Sequence, residues 1–396
     1  MNYEQIIAQS VAQMPPSGIR KFFDIVSEMK DAISLGVGEP DFVTPGHICE
    51  SAVQSLRMGH THYTSNWGLL ELRRLIARYM QERFSVSYDP KNEILVTVGA
   101  SEGLDLSLRM LINPGMGEEV LVPEPSYVSY QPEVSLTGGV AVPIKTGEET
   151  AFKLTAQALT QAITPKTKAL ILPYPNNPTG TVMTREELLQ IAKVLENTDI
   201  MVISDEIYAE LTYGGLAHTA FASIPGRWER TITLSGFSKS FAMTGWRMGY
   251  LCAPAPLAAA MCKIHQYTML CAPIMGQYAA LSALEHGFED DFADVESMRK
   301  VYDRRRRIVV DAFRQMGFSC FEPLGAFYVF PNISKTGLTS EAFCTQLLYA
   351  QKVAAVPGTA FGACGEGVIR LSYATSTERI VEAMARIGKF VKTLES

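Results

Sequence analysis

The sequence predicts an α/β protein: a mostly parallel sheet with helices on both faces, followed by a smaller α+β domain. Three observations predict it. Short β-rich runs alternate with longer helical ones between residues 93 and 253. The middle runs are almost continuously apolar, as strands are when helices bury both faces of the sheet. Polar clusters follow these runs at Gly99-Ala100-Ser101, Asn176-Asn177-Pro178, Asp205-Glu206 and Ser235 to Lys239. Those are the carboxyl ends of the strands, where such sheets bind their ligands.

In chain order, EILVTVG (93–99) reads as a strand and ASEGLDLSLRMLI behind it as a helix. EVLVPEP (119–125) and KALILPYP (168–175) are strands, the latter followed after a turn by the helix TREELLQIAKVLENT. IMVISDE (200–206) and RTITLSG (230–236) are further strands, and WRMGYLCA (246–253) is a hairpin or edge strand. From about residue 284 the pattern changes. A long charged helix, DFADVESMRKVYDRRRRIVVDAFRQM, precedes GAFYVFPNI, VAAVPGTAFG, GVIRLSYA and a last helix. The expected division is an N-terminal arm with part of the small domain (1–46), a large domain (47–283) and a small C-terminal domain (284–396), with residues 33–46 joining the small domain.

Composition narrows the function. The chain has 396 residues, 47% hydrophobic and 19% charged, so a sizeable core is expected. A net charge of −6 and a pI near 5.7 argue against a nucleic-acid partner. The run Asp303-Arg304-Arg305-Arg306-Arg307 lies in a helical pattern and reads as a solvated or pairing face. Seven scattered cysteines without a CxxC suit a reducing compartment. The N-terminus shows no basic start before an apolar run, and no apolar stretch approaches ~18 residues. A cytoplasmic protein without a membrane partner is expected.

The chemistry centres on LSGFSKSFAMTGWRMGY (234–250). Its single lysine, Lys239, stands among Ser238, Ser240, Phe241 and Met243. Desolvation there would lower the ammonium pKa and free a nucleophilic amine, able to bond an aldehyde cofactor. Taken alone, a loop lysine is more often a surface residue. Arg247, eight residues on, changes the balance: a guanidinium with nearby hydroxyls and the helix start at Ala100 and Ser101 makes a phosphate site. An aldehyde that carries a phosphate is pyridoxal 5′-phosphate (PLP). Its ring nitrogen needs a carboxylate, and Asp205 ends an apolar strand. Its ring oxygen needs donors, which Asn177 and Tyr208 could supply, and Tyr127 could stack on the ring. Each has an ordinary rival: a turn aspartate, an NPTG turn, a core tyrosine.

Taken in order, SGIRKFFD (17–24), ISLGVGEPDF (33–42), HYTSNWGLLELRRLIA (62–77), PYPNNPTG (173–180), SDEIYAELTY (204–213), SGFSKSFAMTGWRMGY (235–250) and IRLSYA (369–374) resemble a known family. The chain is similar to PLP-dependent aminotransferases of fold type I, class I/II, in the aspartate and aromatic branch that includes bacterial aminotransferase A-type proteins. The resemblance implies a seven-stranded, mostly parallel sheet and a homodimer with shared active sites. It implies that Lys239 holds PLP covalently, Asp205 pairs with the ring nitrogen, and Asn177 and Tyr208 bond the ring oxygen. Arg247, Ser235 or Ser238, and the backbone of Ala100 and Ser101 would hold the phosphate, with Tyr127 stacked on the ring. Arg370 would clamp the substrate α-carboxylate, helped by Gly38 and Asn177, and Tyr63 would reach the neighbouring subunit's phosphate. One departure stands out: Gly236 occupies the position, three residues before the lysine, where many relatives carry a phosphate-binding Ser or Thr.

The implied activity is transfer of an amino group between an α-amino acid and a 2-oxo acid by a ping-pong mechanism, with Lys239 as proton carrier. A lyase or decarboxylase on the same fold is the alternative. For the substrate side chain, Arg20 is a candidate partner of a second carboxylate, whereas Ile19 and Phe22 favour apolar or aromatic side chains. The reading leans to aromatic and acidic donors with 2-oxoglutarate as acceptor. More distant rivals were weighed. Ser27-Glu28-Met29-Lys30, Tyr174-Pro175-Asn176 and Lys335-Thr336-Gly337 mimic a penicillin-recognising serine hydrolase, but such short strings arise by chance. GVGEP (36–40) is a poor nicotinamide fingerprint, His60 and His62 lack metal-ligand spacing, and an intact Lys–Asp–Arg set argues against a non-catalytic module.

Overall fold

A two-residue strand β1 (Ile33–Ser34) precedes the main sheet, whose strands are β2 (Ile94–Thr97), β3 (Glu119–Glu124), β4 (Val140–Lys145), β5 (Thr167–Leu172), β6 (Met201–Asp205), β7 (Thr231–Gly236) and β8 (Gly249–Cys252). The structure is a computed structural model and describes residues 1, 3–12, 14, 29 and 31–394. The order across the main sheet is β2-β8-β7-β6-β5-β3-β4. Neighbours from β7 to β4 pair in parallel, and β8 runs antiparallel between β7 and β2. This is the α/β fold expected, a mostly parallel seven-stranded sheet covered by helices.

Local chemistry explains most boundaries. Thr184 caps helix Arg185–Val194 with its hydroxyl on the Glu187 amide, while the Glu187 carboxylate returns to the Thr184 amide. The charged helix begins at Ala293, because Asp291 and Phe292 are left-handed (φ 55° and 56°) and break it from helix Ile274–Asp290. One expectation is half corrected. Of the two alternatives for residues 246–253, β8 does pair antiparallel with the preceding strand β7, as a hairpin strand would, but it is not an edge, because β2 pairs with its other side. The edges are β2 and β4, and β4 gives no strand signal because it carries Pro143 and is only partly buried along its length.

Beyond the main sheet, β1 pairs in parallel with β10 (Val353–Ala354), and β11 (Val356–Pro357), β12 (Ile369–Ser372) and β9 (Tyr328–Val329) form a three-stranded sheet. Ile33 and Leu35 share a core with Tyr302, Phe313, Phe327 and Ile387, and that core also takes in Tyr208 and Leu211 from just after β6. The arginine run divides by helical geometry. Arg305 turns inward to Asp41 (2.8 Å) and Arg306 to Asp303 and Glu322 (both 2.8 Å), while Arg304 and Arg307 face solvent. All seven cysteines are free. Among the described residues no helix is long and apolar enough to cross a membrane.

One contact governs how the sheet meets its first buried helix, Gly99–Leu111. A Cβ on Gly249 would lie 2.5 Å from the Gly99 carbonyl carbon and 2.6 Å from the Ala100 nitrogen, and one on Gly236 would lie 2.8 Å from the Gly249 Cα. No side chain fits at either position. Gly249→Ala is therefore expected to destabilise the protein by about 1–3 kcal/mol, read as a lowered urea midpoint, because only backbone can give way.

Candidate active site

A cleft of about 310 Å³ opens at the carboxyl ends of the parallel strands. β6 ends on Asp205 and its following turn supplies Tyr208; β7 ends on Gly236 and its following turn supplies Ser238 and Lys239. Helix Gly99–Leu111 opens onto the cleft with Ala100, Ser101 and Leu104. The loops after β3 and β5 add Tyr127, Tyr130, Pro175 and Asn177. Thr244 and Arg247 come from the turn before β8. The remaining wall belongs to the other layer: Gly38 and Glu39 after β1, Tyr328 on β9 and Arg370 on β12.

Lys239 Nζ donates to the Gly38 carbonyl at 2.6 Å and lies 5.7 Å and 5.6 Å from the ring centres of Tyr208 and Phe327. Burial, above all, brings its pKa down to about 8, and the Arg370 and Arg247 cations push the same way against Glu39 and Asp205. Asp205 behaves inversely. Burial raises its carboxyl, while a hydrogen bond from Tyr130 Oη (2.8 Å) and another from the Ile207 amide (3.2 Å) favour the charged form.

Arg370 is 2% exposed, and burial lowers its pKa from the ordinary arginine value. Its guanidinium carbon lies 4.6 Å from the ring centres of both Tyr328 and Phe361. One arm donates to Asn177 Oδ1 at 3.0 Å and the other to the Gly36 carbonyl, while Nε is buried with no partner among the described residues. A rigid cation with donors to spare suits a carboxylate. Tyr208 and Tyr328 share a hydroxyl–hydroxyl bond of 2.8 Å, and a Cβ on Gly38 would meet the Tyr328 hydroxyl at 2.6 Å.

At the opposite end, helix Gly99–Leu111 has no side-chain cap, because Val98 occupies the N-cap position. Arg247 stands beside it in the left-handed region (φ 52°), with Nη1 on the Thr244 carbonyl at 3.0 Å. A Cβ on Gly99, itself at φ +78°, would lie 2.6 Å from Arg247 Nη2. Uncapped amides and a guanidinium, with Ser238 also lining the cleft, form a set whose chemistry suits an anion. Ser235 is not part of it: it lies within β7, its hydroxyl 3.4 Å from the Glu206 carbonyl. Gly236 is bare because β8 fills the space a side chain would need.

Not every expected residue reaches the cleft. Tyr63, expected to serve the neighbouring subunit, is 82% exposed and lies outside this cleft. Ile19 and Arg20 lie outside the described residues, as do Ser27 and Lys30. The other members of the hydrolase-like strings are elsewhere: the Tyr174 hydroxyl bonds the Leu154 amide inside the core, and Lys335 Nζ bonds the Met316 carbonyl. Seven lining residues carry no site signal in the sequence, and four of them are polar: Glu39, Tyr130, Thr244 and Tyr328. Tyr130 closes the PSYVSY string and Tyr328 sits in GAFYVFPNI, each indistinguishable in sequence from a core tyrosine. Glu39 and Thr244, joined at 3.1 Å, lie beside recognised motif residues.

The family described as "Aminotransferase class I and II" matches residues 30–387. The aspartate aminotransferase of Pyrococcus abyssi is 48% identical over 95% of this chain and 96% of its own length. The aromatic-amino-acid aminotransferase 2 of Thermococcus litoralis is 44% identical over 98% of both. The crystal structure of the aromatic aminotransferase from Pyrococcus horikoshii OT3 superposes with a TM-score of 0.89, at 44% identity over 95% of this chain and 99% of that one.

The lysine offers a direct check. In cofactor-free protein, acylation of Lys239 by an amine-reactive reagent should rise with pH through a midpoint at about 8. Burial penalises the ammonium, so the reactive neutral amine appears above that pH and is lost below it. A midpoint near the ordinary lysine value of about 10.4, followed by mass spectrometry of the labelled peptide, would show an amine in contact with bulk water.

Proposed function

This chain belongs to the class I and II aminotransferases, and on that footing we propose which residues of the cleft hold the cofactor and which hold the substrate. The protein is a PLP-dependent transaminase that moves an amino group between an α-amino acid and a 2-oxo acid. The chemistry of the donor set fits that cofactor: an uncapped helix start beside Arg247 for a phosphate, a carboxylate at Asp205 for a ring nitrogen, and an amine at Lys239 for an aldehyde. The observation that carries the reading is the meeting of these groups in one desolvated cleft, with Lys239 already near neutrality.

In this reading Arg247, Ser238 and the Ala100 and Ser101 amides hold the phosphate. Asn177 and Tyr208 bond the ring oxygen, and Tyr127 stacks on the ring. When bound, the cofactor supplies a cationic ring that accepts the electron pair left at the substrate Cα. Asp205 holds the proton on the ring nitrogen, and Tyr130 keeps the Asp205 carboxylate oriented. Lys239 Nζ would take the proton from the substrate Cα as a neutral amine and then, as an ammonium, deliver it to the cofactor carbon that was the aldehyde carbon. Arg370, steered by Asn177 and the Gly36 carbonyl, clamps the α-carboxylate with Gly38 nearby. Product leaves before the second substrate enters, which gives ping-pong kinetics.

Relatives named for aspartate and for aromatic amino acids support a donor range covering both; the acceptor in this proposal is 2-oxoglutarate. Ile19 and Arg20 remain the proposed side-chain contacts. Residues 47–283 serve the cofactor, and the segments 1–46 and 284–396 bring the substrate-facing Gly38 and Arg370. The homodimer that the resemblance implies is part of this proposal, and the exposed surface is compatible with it. Tyr63 is 82% and Tyr267 86% exposed, Met269 is exposed too, and the cleft itself is open at Ser101 and Arg247. A second copy would cover the aromatics and present its own Tyr63 to this phosphate end. The cytoplasm is the proposed location.

Mixing holoenzyme with an aromatic amino acid, without acceptor, should release one equivalent of oxo acid and bleach the visible band of the cofactor. Release of ammonia or carbon dioxide instead would mark a lyase or decarboxylase. Lys239→Ala should lower the half-reaction rate by roughly 10²–10⁴-fold, the range for losing a positioned acid–base group. Arg370→Ala should raise KM on the order of 10²-fold for every amino acid, leaving the preference among them unchanged.

A further inference from the structure

Glu102 lies in the first turn of helix Gly99–Leu111, one turn from the cleft, yet does not line it. Ala100, Ser101 and Leu104 do. One Glu102 oxygen accepts the Val98 amide at 2.5 Å, and the other accepts His265 Nδ1 at 2.6 Å. His265 is 0% exposed and sits in the last turn of helix Ala255–Thr268, which packs along the same helix. Its Nε2 is buried with no partner among the described residues, so the bond to Glu102 is the ring's one polar attachment there. Because Nδ1 meets a carboxylate, it carries the hydrogen and donates.

Two consequences follow. The carboxylate ties off the amide of the N-cap residue, which Val98 cannot do for itself, and this sets the direction in which the next amides point. A carboxylate in the first turn also occupies the same positive helix end that a phosphate would use. It is tolerable there only if it is held on the far side of the helix from the cleft, and His265 is what holds it.

We propose that Glu102 and His265 are positioning residues for the phosphate end of the cofactor: Glu102 aligns the helix start, and His265 keeps the Glu102 charge turned away from the anion. This rests on the reading that Ala100, Ser101 and Arg247 take the phosphate. Neither residue touches the cofactor, so the effect is on affinity for the phosphate, not on the ring chemistry.

The test compares PLP with pyridoxal, which lacks the phosphate, binding to cofactor-free full-length protein. His265→Leu should weaken PLP on the order of tenfold, the scale of a charge at a helix terminus, and leave pyridoxal within about twofold. In a Glu102→Gln background, where the amide still accepts from Val98 but carries no charge, the same His265→Leu change should cost PLP little. Equal weakening of both ligands, an undiminished loss in the Gln background, or no loss at all would overturn the proposal, because a purely structural clamp gives those results. If His265→Leu does not fold, Glu102→Ala replaces it, with a phosphate-selective loss expected and an unselective one or none counting against. Wild-type protein that binds pyridoxal as tightly as PLP would instead undo the reading of the anion cradle itself.

Discussion

The site depends on three glycines whose backbones touch. Gly236 ends β7, Gly249 begins β8 directly across from it, and Gly99 opens the helix that abuts them. At this backbone-to-backbone distance the start of helix Gly99–Leu111 presses directly against the β7–β8 pair. The result is that Lys239 and Arg247, on the connection between β7 and β8, and the uncapped amides of Ala100 and Ser101 converge on one cleft. The clamp of Glu102 and His265 sits behind the same junction and stiffens it from the helix side.

Burial then does different things to different groups. The same loss of solvent lowers the proton affinity of both Lys239 and Arg370. An amine brought to about 8 exchanges protons near neutral pH. A guanidinium starts so high that it stays a cation, and its loss of hydration is offset by two aromatic faces and two oxygen acceptors. Asp205 would be driven toward the neutral acid by burial alone, and Tyr130 with the Ile207 amide opposes that. One cleft thereby holds an amine brought down by burial, a permanent cation, and a carboxyl that burial raises and two hydrogen bonds draw back. Arg247 is held in a left-handed conformation that costs of order 1 kcal/mol or more for a residue with a Cβ, a strain the surrounding turn sustains to aim the side chain.

The cleft also joins two cores. Its floor comes from the ends of β6 and β7, and its opposite wall from Gly38, Tyr328 and Arg370, whose strands belong to the layer built with the C-terminal helices. Tyr208 belongs to both, lining the cleft while packing into the second core and bonding Tyr328 across the divide.

Local chemistry along the chain determined the strand and helix pattern, the capping box at Thr184, and the placing of Lys239, Asp205 and Asn177 just after apolar runs. These are readable because hydrophobic periodicity and strand-end polarity are properties of consecutive residues. Arg247 and Arg370 were legible through motif strings and not through periodicity. What only the tertiary structure decided depends on residues distant in sequence. β8 is an interior strand because β2 and β7 both pair with it, which its own four residues cannot encode. Ser238 faces the cleft and Ser235 does not, because the strand ends between them at Gly236. Tyr130 serves Asp205, 75 residues away, and His265 serves Glu102, 163 residues away. Such pairs are made by the packing of separate elements, so no pattern within either segment announces them.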